Sequence, residues 1–427
     1  MKLVLGLGDT GLSIARFLSK QNIAYRIADS RQNPPSLNNC PQSPILGDWT
    51  LDLLADIDEI FISPGIAQTE PIVLWAKQQN ISIVSDIELF SRHAQAPIIG
   101  ITGSNGKSTV TQLFGEMIAN DGKKVAIGGN IGKPALDCLD DDIAYYVLEL
   151  SSYQLDYTQN LRLFTGVVLN ITPDHLDRYL SFEHYAQSKL SLYTHCQTSV
   201  INIDEPLTSK QSSSKIFGMD IPKNPKDFGT VTCHNSTYLL KGDTSLMCID
   251  DMPLIGEHNI KNALAALSLG DQIGLSTEAM IATLKTFKGL EHRLEKVTEK
   301  NNITYYNDSK ATNAISTITA IQALISTHKN IILIMGGVAK QEDYHPLFTL
   351  INEHKIPVVL IGKDTHKFEK SITNTTLANT LEDAITTAQS LIIKGAILLS
   401  PACASFDMFD NFEQRGRMFK DYVNSAH

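Results

Sequence analysis

The chain has 427 residues, 43% of them apolar and 19% charged, with a formal net charge of −10. Such a chain is too apolar to stay disordered and long enough for about three domains of roughly 150 residues each. Its acidic balance excludes a general nucleic-acid binder, which carries a basic face, but leaves room for anionic small molecules held by a few cations and local dipoles.

The elements alternate from the first residues. Strands are expected at 2–6, 24–28, 58–63 and 81–84, with helices at 12–20 and 71–79. This β-α-β rhythm implies a parallel sheet. A new strand opens after Ala96-Pro97, at 98–101, followed by a glycine turn and a helix over 107–120 that Asp121-Gly122 stops. Apolar strands follow at 145–149 and 166–170. The stretch 203–252 is polar and β-leaning, with turns at Asn235-Ser236 and Lys241-Gly242-Asp243, and reads as a small antiparallel appendage. Helical patterns return at 259–269 and 277–286. A third α/β unit starts near Gly289, with strands at 304–307, 331–335, 358–361 and 396–399. The expected layout is three α/β blocks, 1–90, 91–288 and 289–427, with joints near 91 and 289.

Six cysteines, at 40, 138, 196, 233, 248 and 403, form no CxxC pair. Neither a zinc site nor a disulfide framework is expected, and the reading is a reducing, cytoplasmic compartment. No apolar run approaches the ~20 residues of a spanning helix, so membrane insertion is not expected. The apolar start ends at Asp9 without a small-residue cleavage site, unlike a signal peptide.

Gly6-Leu7-Gly8-Asp9-Thr10-Gly11 is a GxGxxG that follows a strand and opens a helix. Glycines there permit a tight turn and let a phosphate approach the helix N-terminus. Asp29 ends the second strand, where a ribose-binding acid would sit. NAD is the obvious ligand; a tight turn with no ligand is the plain alternative. Thr102-Gly103-Ser104-Asn105-Gly106-Lys107-Ser108-Thr109 is a second glycine turn between strand and helix. Its amides can face phosphate oxygens, Lys107 can reach the outer phosphates, and Ser108 can ligate Mg²⁺. The strict P-loop spacing needs glycine at position 101, where Ile101 stands, so the loop is a variant. ATP or GTP binding here changes the first motif's meaning: a dehydrogenase has no need of ATP.

Glu149 ends the strand beside this loop and could hold the nucleotide's metal. Asp174, His175 and Asp177 crowd another strand's carboxyl end, the edge where open α/β sheets bind ligands. Lys189 lies in a helix opened by Ser181, and on spacing alone it reads as a solvated helix lysine.

These motifs, with Glu149-Leu150-Ser151-Ser152-Tyr153-Gln154, Asp174-His175-Leu176-Asp177-Arg178, Gly256-Glu257-His258-Asn259, Asn262-Ala263, His292-Arg293, Asn307-Asp308-Ser309-Lys310-Ala311-Thr312 and Gly336-Gly337, resemble the Mur ligases. These are ATP-dependent amino-acid-adding ligases of peptidoglycan synthesis, and hence of cell-wall biogenesis. The match runs in order from about residue 5 to 417. It implies a Rossmann-like first domain, a central P-loop-type ATPase domain with a mostly parallel sheet, and a Rossmann-like third domain. The segment from Ser400 to Phe409, followed by Asn411-Phe412-Glu413-Gln414-Arg415-Gly416, is similar to the D-glutamate-adding branch. The Asp-Asn-Pro-Arg motif of the diaminopimelate- or lysine-adding branches is absent. Tyr153 departs from a common phenylalanine, and Val338-Ala339-Lys340 from an acid after the glycine pair.

The resemblance implies an acyl-phosphate route joining UDP-N-acetylmuramoyl-L-alanine to D-glutamate, with ADP and phosphate released. It implies catalytic roles for Lys107, Glu149, His175 and a carbamylated Lys189, and ATP contacts from residues 103–109, Asn262, Arg293, Asp308 and Lys310. Two Mg²⁺ would be held by Ser108, Glu149, His175 and Lys189. The UDP substrate would meet Asp9, Thr10, Asp29, Ser30, Arg31, Asn130, Ser151 and Gln154, and D-glutamate would meet Thr312, Lys340, Ser405 and Phe406, with Phe412 nearby. A monomer closing about its joints is expected. Alternatives are L-alanine addition, folate polyglutamylation, an NAD-dependent dehydrogenase and a nucleotide sensor without turnover.

Overall fold

The computed structural model describes residues 1–175, 178–211, 215–325 and 327–425. Leu176 and Asp177, and with them one acid of the His175 cluster, lie outside the described residues. The chain divides into two compact units, Met1–Met252 with Ile260–Thr286, and Pro253–Asn259 with Phe287–His427. The first unit carries two sheets and the second carries one, in a three-domain α/β architecture.

The first sheet has five parallel strands in the order Ile45–Leu46, Tyr25–Asp29, Lys2–Leu5, Glu59–Ile62, Ser82–Ser85. Leu3, Val4 and Leu5 are fully buried on both faces of the central strand. Each such side chain contributes about 1.5–3 kcal/mol of burial, so a continuous apolar run suffices to place the strand centrally. Helix Asp9–Lys20 starts three residues before the expected position, at a Gly8 N-cap without a side-chain cap. A Cβ at Gly11 would lie 1.8 Å from the Gly6 carbonyl oxygen, so only glycine lets this helix pack so closely on its turn.

The second sheet has nine strands, in the order Thr244–Cys248, Ser236–Lys241, Phe228–Cys233, Lys215–Phe217, Cys196–Asn202, Leu163–Val168, Ile98–Thr102, Tyr145–Glu149, Val125–Gly129. The stretch expected as an appendage is antiparallel over its last three strands, but it is no separate module. Phe228–Cys233 pairs in parallel with Lys215–Phe217 and so extends the central sheet. Lys215 and Lys241 both ion-pair with Asp271 on helix Glu257–Gln272, pinning this extension. The strand expected at 166–170 runs instead over Leu163–Val168. Asn170 has left the sheet because its groups serve the glycine loop: its side chain accepts from the Asn105 amide at 2.8 Å, and its carbonyl accepts from the Ser104 amide at 2.9 Å.

These two sheets belong to one unit because a single apolar core spans them, from Phe17 and Phe90 to Leu136, Tyr146 and Leu163. Polar groups staple the same joint. Buried Glu88 accepts from the amides of Gln159 at 2.5 Å and Asn160 at 3.0 Å, and Ser85 and Thr158 share a hydrogen bond of 2.8 Å.

The third sheet has the order Glu295–Lys300, Ile303–Asn307, Gly395–Leu399, Ile331–Gly336, Val358–Ile361, Thr375–Leu377, parallel except for its first strand. The Glu295–Lys300 strand was not expected, because its charged sequence carries no apolar run; as a charged edge strand it needs none.

Candidate active site

The first glycine turn borders a cavity of about 490 Å³ in which all five N-terminal candidates, Asp9, Thr10, Asp29, Ser30 and Arg31, take part. Asp29 is buried, and both its oxygens are occupied. Oδ2 accepts from the Leu7 amide and Arg31 Nη2, each at 2.7 Å; Oδ1 accepts from the Arg31 amide at 2.9 Å and Nε at 2.8 Å. Burial pushes its pKa up, but these hydrogen bonds from Arg31 and Leu7 outweigh it and hold the carboxyl below the usual range. Four accepted bonds use the capacity of a carboxylate. Asp29 therefore organises the turn and Arg31, and has no lone pair left for a ribose diol. The dehydrogenase reading loses its main support.

The second glycine turn follows Ile98–Thr102, and helix Lys107–Asn120 begins at a Gly106 N-cap with φ +82° and no side-chain cap. Its first-turn amides are thus directed to whatever anion lies in front. A Cβ at Gly106 would sit 2.5 Å from Asn262 Oδ1, so Asn262, itself buried, closes against the loop. Ser104 is fixed by the Thr172 amide at 2.9 Å and by the Tyr185 hydroxyl at 2.9 Å; Asn105 stands exposed, and Ser108 and Thr109 are buried.

Two lysine side-chain nitrogens meet on one carbonyl here. Lys107 Nζ donates to Gly103 O at 2.8 Å and Ser104 O at 3.0 Å, and Lys189 Nζ donates to Gly103 O at 2.9 Å. Lys189 is only 2% exposed, which overturns its reading as a solvated helix lysine. Burial first, and Lys107 second, push its pKa well below that of a free lysine. The four-residue spacing that puts Tyr185 and Lys189 on one helix face was the available signal; Nζ lies 4.8 Å from the Tyr185 ring.

Glu149 pairs in register with Ile101, so its side chain projects at the same sheet edge as the loop. It is 2% exposed. Oε1 accepts from Asn130 Nδ2 at 2.8 Å, while Oε2 is buried with no hydrogen-bond partner among the described residues. An orphaned carboxylate oxygen beside a phosphate-type loop fits a divalent cation. Among the described residues no three His, Cys, Asp or Glu side chains converge as a metal cage. A cation at Glu149 and Ser108 would therefore draw most of its ligands from phosphate and water, as Mg²⁺ does.

His175 adopts a left-handed φ of +54°, and its ring lies 5.0 Å from that of Tyr153 and 6.2 Å from that of Tyr185. Ser151 and Gln154 form a reciprocal capping box. Gln154 is buried, with Nε2 at 3.4 Å from both oxygens of Asp86, whose pKa burial raises to about 6.

In the second unit the candidates gather at the carboxyl edge of the parallel strands. Asp308 follows Ile303–Asn307 and is buried; it accepts from Ser400 Oγ at 2.7 Å and the Leu294 amide at 3.0 Å, and burial raises its pKa to about 7. Arg293 precedes Leu294. Lys310 Nζ lies 3.9 Å from the centroid of the Phe412 ring, and Lys340 Nζ donates to Thr312 Oγ1 at 3.4 Å. Ser405 is buried, whereas Phe406 is 75% exposed. Arg415, which spacing gave no role, is fully buried and donates to Ser309 Oγ and O at 2.9 Å and to Cys403 O at 3.2 Å. It fixes the Asp308–Lys310 turn from beneath.

Compared with known proteins, the chain is similar to one family along most of its length. Residues 1–85 match the model described as Mur ligase MurD-like, N-terminal domain; residues 101–270 match the Mur ligase middle domain; residues 292–403 match the Mur ligase, glutamate ligase domain. The UDP-N-acetylmuramoylalanine--D-glutamate ligase of Nitrosococcus oceani is 41% identical over 98% of this chain and 95% of its own. The protein of the same name from Acinetobacter baylyi is 41% identical over 100% and 98%. Among solved structures, the UDP-N-acetylmuramate-alanine ligase of Thermotoga maritima shares the fold with a TM-score of 0.61 at 16% identity, covering 100% of this chain and 99% of that one. The chain belongs to the Mur ligase family, ligases that form amide bonds using ATP and Mg²⁺.

Proposed function

We propose that the chain joins D-glutamate to UDP-N-acetylmuramoyl-L-alanine in the cytoplasm, as a monomer, in the making of the peptidoglycan precursor. The observation that carries this reading is the pair of lysines on Gly103 O beside the unpartnered oxygen of Glu149. A carboxylate and a triphosphate repel one another, and phosphoryl transfer depends on positioning and charge neutralisation more than on covalent help.

Block 1–90 receives the UDP end at Asp9, Thr10, Ser30 and Arg31, with Asp29 organising the wall. Asn130, Ser151 and Gln154 stand along the path of the sugar-peptide arm, Asn130 also steadying Glu149 and Gln154 acting through its capping box. Block 91–288 takes ATP on the amides of residues 103–109, with Lys107 on the outer phosphates. Ser108 and Glu149 would hold Mg²⁺, and His175 with a carbamylated Lys189 a second ion, which together screen the two anions. The depressed pKa of Lys189 favours its neutral amine, the form that adds CO₂. Transfer of the γ-phosphoryl group to the alanyl carboxylate makes an acyl phosphate, and the amine of D-glutamate then displaces phosphate. In block 289–427 we assign Arg293, Asp308 and Lys310, together with Asn262 of the first unit, to ATP. Thr312, Lys340, Ser405, Phe406 and Phe412 are assigned to the amino acid, whose two carboxylates suit a lysine and hydroxyls.

The test is phosphate release from ATP with UDP-N-acetylmuramoyl-L-alanine and, separately, D-glutamate, L-glutamate or L-alanine. Only D-glutamate is expected to stimulate release, with one amide formed per ADP. ADP without a new amide, whichever amino acid is present, would overturn the reading.

A further inference from the structure

We propose that Arg178 is a positioning residue that ties the seating of the nucleotide-sugar substrate to the placement of His175; the proposal rests on the ligase reading above. Its guanidinium donates to three consecutive carbonyls. Nη2 lies 2.6 Å from both Pro64 O and Ile66 O, and Nη1 lies 2.8 Å from Gly65 O. Pro64, Gly65 and Ile66 are a wall of the 490 Å³ cavity that holds Asp29 and Arg31. The other end of the same residue belongs to the second sheet's site. The Arg178 amide donates to the carbonyl oxygen of His175 at 3.0 Å, and His175 itself takes a left-handed φ of +54°. A third contact joins the two. The guanidinium lies 3.9 Å from the centroid of Tyr153, and the Tyr153 ring lies 5.0 Å from the ring of His175.

One residue therefore bonds the cavity wall through its rigid, planar fork and the His175 carbonyl through its backbone amide. Displacing the 64–66 wall moves Arg178, and Arg178 carries with it the contact to the Tyr153 ring and the hydrogen bond to His175 O. A lysine offers a point charge on a flexible stem and cannot hold three carbonyls in one plane. Tyr153 keeps this ring contact at the position where the family commonly has phenylalanine, so the stacking survives Tyr153→Phe.

The experiment compares wild type with Arg178→Lys, Arg178→Ala and Tyr153→Phe. Arg178→Ala is expected to lower kcat/KM for the UDP substrate by about 100-fold, the scale of an ångström-size misplacement, while KM for ATP stays within about two-fold. Arg178→Lys should restore the melting temperature but only a minor part of the rate, and Tyr153→Phe should stay near wild type. The direct readout is the imidazole NMR signal of His175, which should shift when UDP-N-acetylmuramoyl-L-alanine is added to wild type without ATP and should stay still in Arg178→Lys. Equal His175 shifts in both proteins overturn the proposal, as does an Arg178→Ala variant whose three KM values rise together with its loss of stability, the behaviour of a plain staple. Absence of amide product from wild type defeats the ligase reading instead, and the His175 signal still decides the coupling.

Discussion

The two glycine turns of the first unit share their place between strand and helix and differ in N-cap conformation and in charge, Gly8 being extended and Gly106 left-handed. Each leaves the carboxyl end of a parallel strand, and each opens a helix at a glycine N-cap that has no side-chain cap, Gly8 in one and Gly106 in the other. At the first turn the Leu7 amide is taken by Asp29, whose other bonds hold Arg31. At the second, two lysines share one carbonyl, and buried Glu149 on the adjacent strand keeps an unpartnered oxygen. A glycine turn between a strand and a helix does not by itself name its ligand. What binds there is decided by the side chains that the rest of the fold brings to it.

That contrast predicts separable defects. Lys107→Ala should have the largest effect, lowering ligation by about a thousand-fold, the upper range for removing one charge-stabilising donor. Calorimetry should show triphosphate binding lost and binding of the UDP substrate intact; loss of both would mean that the two turns are not separate sites. Glu149→Gln should lower turnover by about 100-fold and raise the Mg²⁺ concentration needed for half-maximal rate. Its melting temperature should not fall, because the change removes a buried charge that is incompletely bonded. A clear fall in melting temperature would assign Glu149 a structural role.

Asp29→Asn should raise KM for the UDP substrate by about ten-fold without touching that for ATP. It should also destabilise the chain by about 1–3 kcal/mol through mismatched buried bonds. The sign of its pH dependence follows from the lowered carboxyl pKa. Wild type holds this stabilisation above the ordinary carboxylate value and loses it as pH falls through the depressed folded value. The gap between wild-type and variant melting temperatures should therefore close in acid, and a gap that widens there would refute the assignment.

The smallest effect is expected at Asp308, where burial raises the pKa to about 7. The folded state prefers the protonated acid, so the contribution is fully present below the unfolded carboxylate value and declines as pH rises towards about 7. Asp308→Asn should flatten this slope between pH 5 and pH 8 in denaturant midpoints. An unchanged slope would show that Asp308 is ionised throughout.

Much of this was legible in the chain of letters. The parallel strands announced themselves because a strand buried on both faces is a continuous apolar run, and the helices Lys107–Asn120 and Thr277–Thr286 fell at their expected bounds because capping and stop residues act locally. The Glu295–Lys300 strand and the joining of 203–252 to the central sheet were not legible, since edge pairing leaves little trace in side-chain type. Nor was the setting of single charged groups. Lys189 looks like any helix lysine until Gly103 O and Lys107 are placed against it, and the three carbonyls that the Arg178 side chain bonds lie 112 to 114 positions earlier in the chain. Periodicity and glycine spacing depend on neighbours along the chain, so the sequence alone settled the elements and the two turns. Burial, orphaned oxygens and shared carbonyls depend on residues tens of positions apart, and only the tertiary structure decided which lysine is desolvated, which acid keeps one oxygen unbonded and which arginine spans two sheets.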